Sequence, residues 1–303
     1  MELFNHIVLG AMPLVPKYFV GRVASRYIAG EELDDALRVV RNLNSDGALA
    51  TIDLLGEDTL RREQAEEATA VYHKILDAIK SDGLQSNISL KPTHLGLKID
   101  KELCRNLISE IVAHAADTGN FLRIDMEDNT CTNDTLELYY WLRKRFENVG
   151  VVIQAYMRRS IKDIERLKEV KANLRLCKGI YREPRSIAWR NRAIIIQNYA
   201  LLLRELLRGG CYVGIATHCE ETIWRALNII RELGLTPEQY EFQMLLGVEP
   251  ELRNILMDNG HRLRVYVPFG EEWYAYSTRR LKENPQIAGH VVRDFLGLSS
   301  QSK

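Results

Sequence analysis

Polar side chains able to do chemistry lie at the end of each short β-like run in the chain. They include carboxylates, amides, lysines, a histidine and a tyrosine, which are groups that bind small ligands or move protons in enzymes. In chain order they are Asp53, Lys91, Asp125, Gln154, Lys178, His218, Gln243 and Tyr266. Asp53 and Gln243, taken alone, are also typical of caps or buried hydrogen-bond partners. The full set favours a ligand site.

Two basic residues in this pattern each fit more than one kind of chemistry. Lys91, within the segment SLKPTH, suits a Schiff base, as in an aldolase, or an ion pair with a carboxylate such as Asp125. Arg175 alternates with apolar neighbours, so its side chain points to the opposite face of its strand. Because an unpaired buried charge is costly, a buried Arg175 requires an anionic or planar partner. Asp125 and Glu127 are the candidates for an internal ion pair.

Two adjacent arginines and a glutamate follow the last β-like run at helical spacing. Tyr276, Arg280 and Glu283 fall on one face of a helix. Glu283 also lies four residues after Arg279, so it can orient either arginine. Paired arginine forks suit a carboxylate or a phosphate. A solvated basic helix with one ion pair would produce the same pattern.

The elements that must position these residues alternate between strands and helices. The predicted strands are 48–55, 88–91, 121–125, 149–155, 174–177, 212–216, 240–243 and 263–267. The predicted helices are 57–80, 101–116, 133–146, 160–170, 186–208, 221–233 and 250–257. Alternation of this kind indicates a parallel sheet, and eight repeats in about 250 residues are what a closed (βα)8 barrel requires. An open doubly wound sheet is the alternative, but the chain has no G-x-G-x-x-G motif.

Ligand chemistry in a parallel barrel gathers at the carboxyl ends of the strands, so the polar strand-end residues are expected to meet there. We predict one catalytic barrel domain over residues 1–303, with segment 1–45 as a helical N-terminal extension.

Composition and charge exclude several classes of protein. The 303 residues are 46% hydrophobic and carry 41 basic and 41 acidic side chains, so the formal charge is zero. This composition is ordinary for a globular protein, and neutrality argues against sequence-independent binding of nucleic acid. The five cysteines are odd in number and no two have C-x-x-C spacing, which argues against a zinc site or disulfide scaffold. We assign no metal site and predict a cytoplasmic protein without a membrane span.

Nine short motifs occur in a fixed order over nearly the whole chain. They are TIDLLGE at 51–57, SLK at 89–91, RID at 123–125, QAY at 154–156, RLCKGIY at 175–181, ATH at 216–218, EFQ at 241–243, Tyr266, and YSTRRLKEN at 276–284. In this order they resemble the monofunctional bacterial form of the proline dehydrogenase family. The resemblance implies a distorted (βα)8 TIM-like barrel with non-covalent FAD at the strand ends. It also implies oxidation of L-proline to 1-pyrroline-5-carboxylate by hydride transfer to the flavin.

The resemblance further implies roles for particular residues, matched position by position. Asp125 and Arg175 correspond to the catalytic residues. The substrate-binding positions are Lys91, Tyr181, Leu245, Tyr266, Arg279, Arg280 and Glu283, with Lys91 and the two arginines as the clamp for the substrate carboxylate. The cofactor-binding positions are Met126, Gln154, Arg175, Lys178, Gly179, Ile180, Thr217 and His218.

The resemblance also implies partners: a membrane quinone that accepts the electrons and a pyrroline-5-carboxylate dehydrogenase that consumes the product. A quinone acceptor favours peripheral contact with the inner face of the cell membrane. The apolar stretch 7–20, beside Lys17, Arg22 and Arg26, is the candidate for that contact. A helix packed under the barrel accounts for this stretch equally well.

Two functions from other classes fit parts of the sequence. A Schiff-base lyase of the aldolase type would use Lys91 or Lys178 and would be colourless. A non-catalytic amino-acid-binding protein would explain the arginines but not the polar strand ends. The colour of the purified protein separates these alternatives from a flavoprotein.

Overall fold

Eight parallel strands form a closed barrel in the computed structural model, which describes residues 21, 25–274 and 276–277. The strands are β1 (Leu49–Leu54), β2 (Ser86–Leu90), β3 (Leu122–Ile124), β4 (Val149–Gln154), β5 (Asn173–Cys177), β6 (Tyr212–Ala216), β7 (Tyr240–Leu245) and β8 (Leu263–Phe269). Each strand pairs with its neighbour in sequence, and β1 pairs with β8 to close the ring. The predicted (βα)8 barrel is confirmed.

Helices surround the barrel. They are α1 (Leu33–Ser45), α2 (Arg62–Ser81), α3 (Lys101–Asp117), α4 (Thr132–Arg143), α5 (Ser160–Glu169), α6 (Arg192–Arg208), α7 (Glu220–Leu233) and α8 (Pro250–Asp258). Helix α1 buries Ala36, Leu37, Val40 and Leu43 on one face and packs where β1 and β8 meet. This helix belongs to the predicted N-terminal segment, and most of the rest of 1–45 lies outside the described residues.

Alternation along the strands separates an apolar outer layer from a polar interior. Outward side chains such as Ile52, Ile88 and Val265 are fully buried against the helices. Their neighbours in sequence point to the other face of each strand, because side chains alternate with a period of two. Asp53 and Ser89 are such neighbours, and both are fully buried and polar. The barrel interior is therefore held by hydrogen bonds and ion pairs as well as by packing.

The amino-terminal end of the barrel is filled by one large cation. Arg123 is 1% exposed, and its Nη1 and Nη2 donate to the backbone oxygen and Oδ1 of Asn173 at 2.8 and 2.7 Å. Burial, together with repulsion from Arg175, lowers the pKa of Arg123 to about 9. Gly150 on β4 lies beside Arg123 in the sheet register. A larger side chain there would meet both the Arg123 guanidinium and the backbone of Asn173.

The first predicted helix, 57–80, is wrong in its first turn. Helix α2 begins at Arg62, because the segment before it binds the loop that follows β2. The backbone N–H of Asp58 donates to Oγ1 of Thr93 at 3.0 Å, and that of Thr59 donates to the Thr93 carbonyl at 3.2 Å. These two N–H groups therefore bind a loop that is distant in sequence, and the helix begins only after them.

The predicted helix 186–208 also starts too early. Helix α6 begins at Arg192, where Asn191 caps it by accepting from the N–H of Ile194 at 3.2 Å. The preceding residues pair with the loop after β4, since the N–H of Trp189 donates to the Tyr156 carbonyl at 2.8 Å. The helical periodicity of the sequence extends over 186–191, but backbone groups of this segment make tertiary contacts, so the helix starts later.

The remaining predictions concern contact with the membrane and the state of the cysteines. Within the described part of the chain, no helix has both the length and the apolar character needed to cross a bilayer. The candidate membrane contact at 7–20 lies outside the described residues. All five cysteines are free thiols, and three of them are buried.

We expect Gly150→Ala to destabilise the protein by about 1–3 kcal/mol, because the added methyl group overfills the end of the barrel. The neighbouring Asn173 carbonyl belongs to the backbone of β5 and cannot turn away as a side chain could. Urea unfolding of the parent and the variant measures the difference. An unchanged or higher midpoint for Gly150→Ala would contradict this account of the packing.

Candidate active site

Asp125 collects three hydrogen bonds at the carboxyl end of the barrel. It follows β3 directly, and its own N–H donates to the Leu90 carbonyl at 2.8 Å. Its carboxylate accepts from Ser89 Oγ at 2.6 Å, Arg175 Nη1 at 2.6 Å and Tyr266 Oη at 3.1 Å. These donors come from β2, β5 and β8, so one carboxylate joins three other strands. The partner expected for Arg175 from the sequence is thus Asp125 and not Glu127.

Arg175 and Tyr266 keep fixed protonation states beside this carboxylate. Burial, the largest influence, lowers the pKa of Arg175, but the charge of Asp125 reverses this and the net shift is upward. Burial, with the charges of Asp125 and Asp53, raises the pKa of Tyr266 well above 10. The guanidinium carbon of Arg175 also lies 5.2 Å from the centre of the Tyr266 ring. The site thus contains a permanent cation and a neutral phenol that donates a hydrogen bond.

Lys91 forms a buried ion pair with Asp53. Its Nζ lies 2.8 and 3.1 Å from the two carboxylate oxygens, and Asp53 is fully buried. Burial raises the pKa of Asp53 even though Lys91 opposes the shift. Burial lowers the pKa of Lys91, but Asp53 and Asp125 outweigh it and the net shift is upward. Lys91 therefore stays an ammonium ion, with donors directed at carboxylates.

Glu127 connects the loop after β2 to the end of β3. Its carboxylate accepts from the N–H of Thr93 at 3.0 Å and from the Thr93 hydroxyl. Its backbone carbonyl accepts from Nε2 of Gln154 at 2.9 Å. Burial raises the pKa of Glu127 to about 7, because the Thr93 hydrogen bonds and the charge of Lys91 compensate only in part. Glu127 thus orients Gln154 and holds the segment that carries Lys91.

The loop after β5 presents a second group of predicted residues. Lys178 and Ile180 are exposed, whereas Gly179 between them is buried. Gly179 has a φ of +103°, and a Cβ at this position would overlap the Tyr156 ring. A glycine is required here for both reasons. The exposed Lys178 and Ile180 therefore lie on either side of a backbone that packs closely on Tyr156.

Thr217 and His218 follow β6 and are partly exposed. Nε2 of His218 accepts a hydrogen bond from the N–H of Leu245 at 2.8 Å, which joins this loop to the end of β7. Oγ1 of Thr217 accepts from the N–H of Cys219 at 3.1 Å. The structure thus brings His218 and Leu245, predicted for cofactor and substrate respectively, into direct contact.

Of the remaining predicted residues, the structure describes Met126 and Tyr181. Met126 is buried directly after Asp125, and it lines a small void together with Gln154. Tyr181 lines a cavity of about 420 Å³ whose other walls include Tyr156, Glu183 and Trp189. Arg279, Arg280 and Glu283 lie outside the described residues.

Several residues that complete this arrangement received no catalytic or binding role from the sequence, although Asp53 and Gln243 were among the polar strand ends and Glu127 was a candidate partner of Arg175. They are Ser89, Asp53, Glu127, Thr93 and Gln243, and each makes at least one of the contacts around Asp125, Lys91 or Arg175. For Ser89 the available signal was parity, because it lies on β2 two residues before Lys91. Side chains two apart on a strand share a face, so polar residues at this offset point to the same cavity.

The barrel and these side chains define a (βα)8-barrel enzyme with a charged site at the carboxyl ends of its strands. A family model described as proline dehydrogenase matches residues 36–293. Proline dehydrogenase 1 of Bacillus subtilis is 36% identical over 273 residues, which cover 90% of each chain. The proline dehydrogenase of Deinococcus radiodurans is 35% identical over 279 residues, again 90% of each chain. The chain belongs to the proline dehydrogenase family of oxidoreductases.

Longer proteins share the same fold. The crystal structure of proline utilization A from Bdellovibrio bacteriovorus, inactivated by N-propargylglycine, superposes with a TM-score of 0.82 at 26% identity. The match covers 92% of this chain and 34% of that one. The bifunctional protein PutA of Escherichia coli is 26% identical over 320 residues, which cover 89% of this chain and 24% of PutA. This chain therefore corresponds to about a quarter to a third of these proteins.

Glu127→Gln should remove part of the pH dependence of stability. The pKa of this carboxyl is about 7 in the folded protein against an ordinary value of 4.5, so the folded state binds its proton more tightly. Stability contributed by the protonated form is then lost as the pH rises from 4.5 to 7. Over this range we expect the free energy of unfolding to fall by about 1–3 kcal/mol more in the parent than in the variant.

Urea unfolding at about pH 5 and about pH 7.5 measures this difference. Glu251→Gln, at an exposed glutamate, is the matched control and should follow the parent. The same pH dependence in the parent and in Glu127→Gln would contradict the assignment.

Proposed function

We propose that this protein oxidises L-proline to 1-pyrroline-5-carboxylate with non-covalently bound FAD. The observation that carries the proposal is the buried set of Asp125, Arg175 and Tyr266, in a chain of the proline dehydrogenase family. Relatives at about 36% identity that match over nearly their full length carry the name of this activity. The combination of a fixed cation, a phenol donor and a carboxylate suits the recognition of a small zwitterion.

The residues around the site fit a flavin dinucleotide. A dianionic pyrophosphate requires cations and hydrogen-bond donors. Lys178 and His218 lie in loops at the carboxyl end of the barrel, and Arg175 lies on β5 below them. Gly179 lets the loop after β5 pack closely on Tyr156, and this packing holds Lys178 and Ile180 at the end of the barrel. The residues that would hold the cofactor are Met126, Gln154, Arg175, Lys178, Gly179, Ile180, Thr217 and His218. When bound, FAD supplies the hydride acceptor, while the protein supplies orientation and electrostatics.

Asp125 and Arg175 act in this proposal as the catalytic pair. Arg175 is held as a cation by Asp125, so it can stabilise negative charge that develops on a neighbouring group. Both partners are largely buried, which strengthens the interaction because little solvent screens it. Tyr266 donates to the same carboxylate, and it would also line the substrate.

The substrate carboxylate would be bound by Lys91, Arg279 and Arg280. Lys91 carries a permanent positive charge, which the clamp requires. Tyr181, Leu245, Tyr266 and Glu283 would line the ring or orient the arginines. Anchoring the carboxylate fixes the position of the ring, so binding serves orientation as well as affinity.

A Schiff-base lyase that uses Lys91 is disfavoured by the state of this amine. A Schiff base requires a neutral amine, whereas the two carboxylates near Lys91 raise its pKa above the ordinary value. Lys178 is exposed on the loop after β5, whereas the lysines of Schiff-base enzymes are activated by desolvation in an apolar pocket or by a neighbouring cation. We therefore retain the oxidoreductase.

Partners and location follow from the same proposal. A lipid-soluble quinone would accept the electrons, and a pyrroline-5-carboxylate dehydrogenase would consume the product. The partial match to the bifunctional PutA proteins supports the second partner. We propose a cytoplasmic protein that contacts the inner face of the cell membrane through the segment 7–20.

The purified protein should be yellow, and acid precipitation should release its flavin into the supernatant. L-Proline, added without an electron acceptor, should bleach the flavin absorption, because the hydride has no further acceptor. A colourless protein that oxidises proline would contradict the proposal.

Arg280→Lys should impair proline turnover strongly while FAD content stays near the parent level. Lysine is a point charge and cannot engage both carboxylate oxygens in one plane as arginine does. Loss of one partner of a desolvated charge pair costs about 2–5 kcal/mol, or roughly 30-fold to several thousand-fold in turnover. Pyrrolidine, which lacks the carboxylate, is the control substrate and should respond little to the substitution. Equal losses on both compounds, or an empty flavin site, would show that Arg280 is structural.

A further inference from the structure

Arg175 is fixed inside the barrel through two different atoms of its guanidinium. Nη1 donates to Oδ1 of Asp125 at 2.6 Å, and Nε donates to Oε1 of Gln243 at 2.6 Å. Asp125 belongs to the proposed active site, whereas Gln243 has so far appeared only among the polar strand ends. Because the guanidinium is planar, hydrogen bonds at two of its atoms fix its tilt as well as its position.

Glu241 decides which end of the Gln243 amide faces Arg175. An amide has a donor end and an acceptor end, and either could point at the arginine. Nε2 of Gln243 donates to Oε1 of Glu241 at 2.6 Å, so Oε1 of Gln243 is turned toward Arg175. In the reverse orientation the amide hydrogens would face a cation and the amide oxygen would face a carboxylate.

Arg264 keeps Glu241 ionised, and ionisation makes Glu241 an acceptor only. Nε of Arg264 donates to Oε1 of Glu241 at 2.7 Å, and its Nη1 donates to the Ala50 carbonyl at 2.6 Å. Burial raises the pKa of Glu241, but the charge and hydrogen bond of Arg264 outweigh it and the net shift is downward. Tyr212 donates to the other oxygen, Oε2, at 3.0 Å. The orientation of Gln243 is thus fixed by a fully bonded carboxylate.

A glycine on the neighbouring strand leaves room for the Gln243 amide. Gly214 lies between Arg175 and Glu241 in the sheet register. A Cβ at this position would lie 2.7 Å from the amide carbon of Gln243 and closer still to its nitrogen. Gln243 can therefore cross β6 inside the barrel and reach Arg175 on β5.

We propose that Gln243, oriented by Glu241, is a positioning residue that sets the tilt of Arg175 toward the bound flavin. The inference rests on the proposed function, since it assumes that the flavin lies against Arg175. Gln243 touches neither substrate nor cofactor in this scheme and acts only through the arginine. The contacts extend from Arg264 on β8 through Glu241 and Gln243 on β7 to Arg175 on β5.

The test replaces Gln243 by methionine, which has a similar length and no hydrogen-bonding amide. Exchange of the Arg175 Nε proton with water, followed by NMR of the purified full-length protein, reports the hydrogen bond whether or not flavin is present. We expect the exchange to be about 10-fold to 100-fold faster in Gln243→Met, as for the loss of a hydrogen bond to a charged group. Arg175→Lys removes this resonance and thereby assigns it. An unchanged exchange rate would overturn the proposal.

A second measurement compares the effect of Gln243→Met in two backgrounds. In the parent it should lower the flavin midpoint potential and slow reduction by proline about 10-fold or more. In the Arg175→Lys background the same change should have an effect of less than about 3-fold, because the residue it positions is already lost. Equal effects in both backgrounds would show that Gln243 is merely structural.

Thr51→Val is the matched control for the loss of a buried hydrogen bond in the barrel. The Thr51 hydroxyl donates to Oδ1 of Asn87 at 2.5 Å, and the hydrogen bonds of Arg175 go to Asp125 and Gln243 instead. The variant should lower the unfolding temperature and leave the flavin potential and the Arg175 exchange rate unchanged. A potential that shifts as much as in Gln243→Met would assign the effect to general loosening of the barrel. A parent protein without flavin would refute the proposed function, while the NMR arm would still decide the role of Gln243.

Discussion

The cost of placing a charge inside the barrel is the constraint on which the rest of the structure depends. In the described part of the chain, Asp53, Asp125 and Glu241 lie in the interior, and each pairs with a cation: Lys91, Arg175 and Arg264 respectively. A buried charge without its partner is strongly destabilising, so each pair must stay closed when the barrel forms. The proposed active site is the part of this interior network that opens at the carboxyl ends of the strands.

Burial of the apolar outer layer stabilises the fold and offsets the free-energy cost of a polar interior. Outward residues of the strands pack against the surrounding helices and are almost completely buried. Apolar packing requires no particular hydrogen-bond geometry, whereas the hydrogen bonds and ion pairs of the interior do. The two faces of the same strands thus have separate tasks. One face provides cohesion, and the other holds polar groups in fixed orientations before a ligand arrives.

The site also links elements that are far apart in sequence. Glu127 joins the loop after β2 to Gln154 on β4, and His218 after β6 contacts the backbone at the end of β7. A residue predicted for the cofactor, His218, is therefore in contact with one predicted for the substrate, Leu245. The likeness in fold at 26% identity agrees with this arrangement, because a closed barrel brings the carboxyl ends of all its strands to one face.

The sequence by itself determined the strand count, the parallel barrel and the placement of polar residues at strand ends. These predictions rest on two patterns that are local in sequence: the alternation of β-like runs with helical stretches, and the polar residue that closes each run. The periodicity of the sequence failed at 57–61 and 186–191, where the backbone binds loops that are distant in sequence. Only the tertiary structure decided the partners, since pairing depends on which side chains the closed barrel brings together across its interior. Arg175 had two candidate carboxylates in the sequence, and closure of the barrel brought it to Asp125 and turned Glu127 toward Thr93. Gln243 gained its contact with Arg175 in the same way, across a strand that carries glycine at the crossing point.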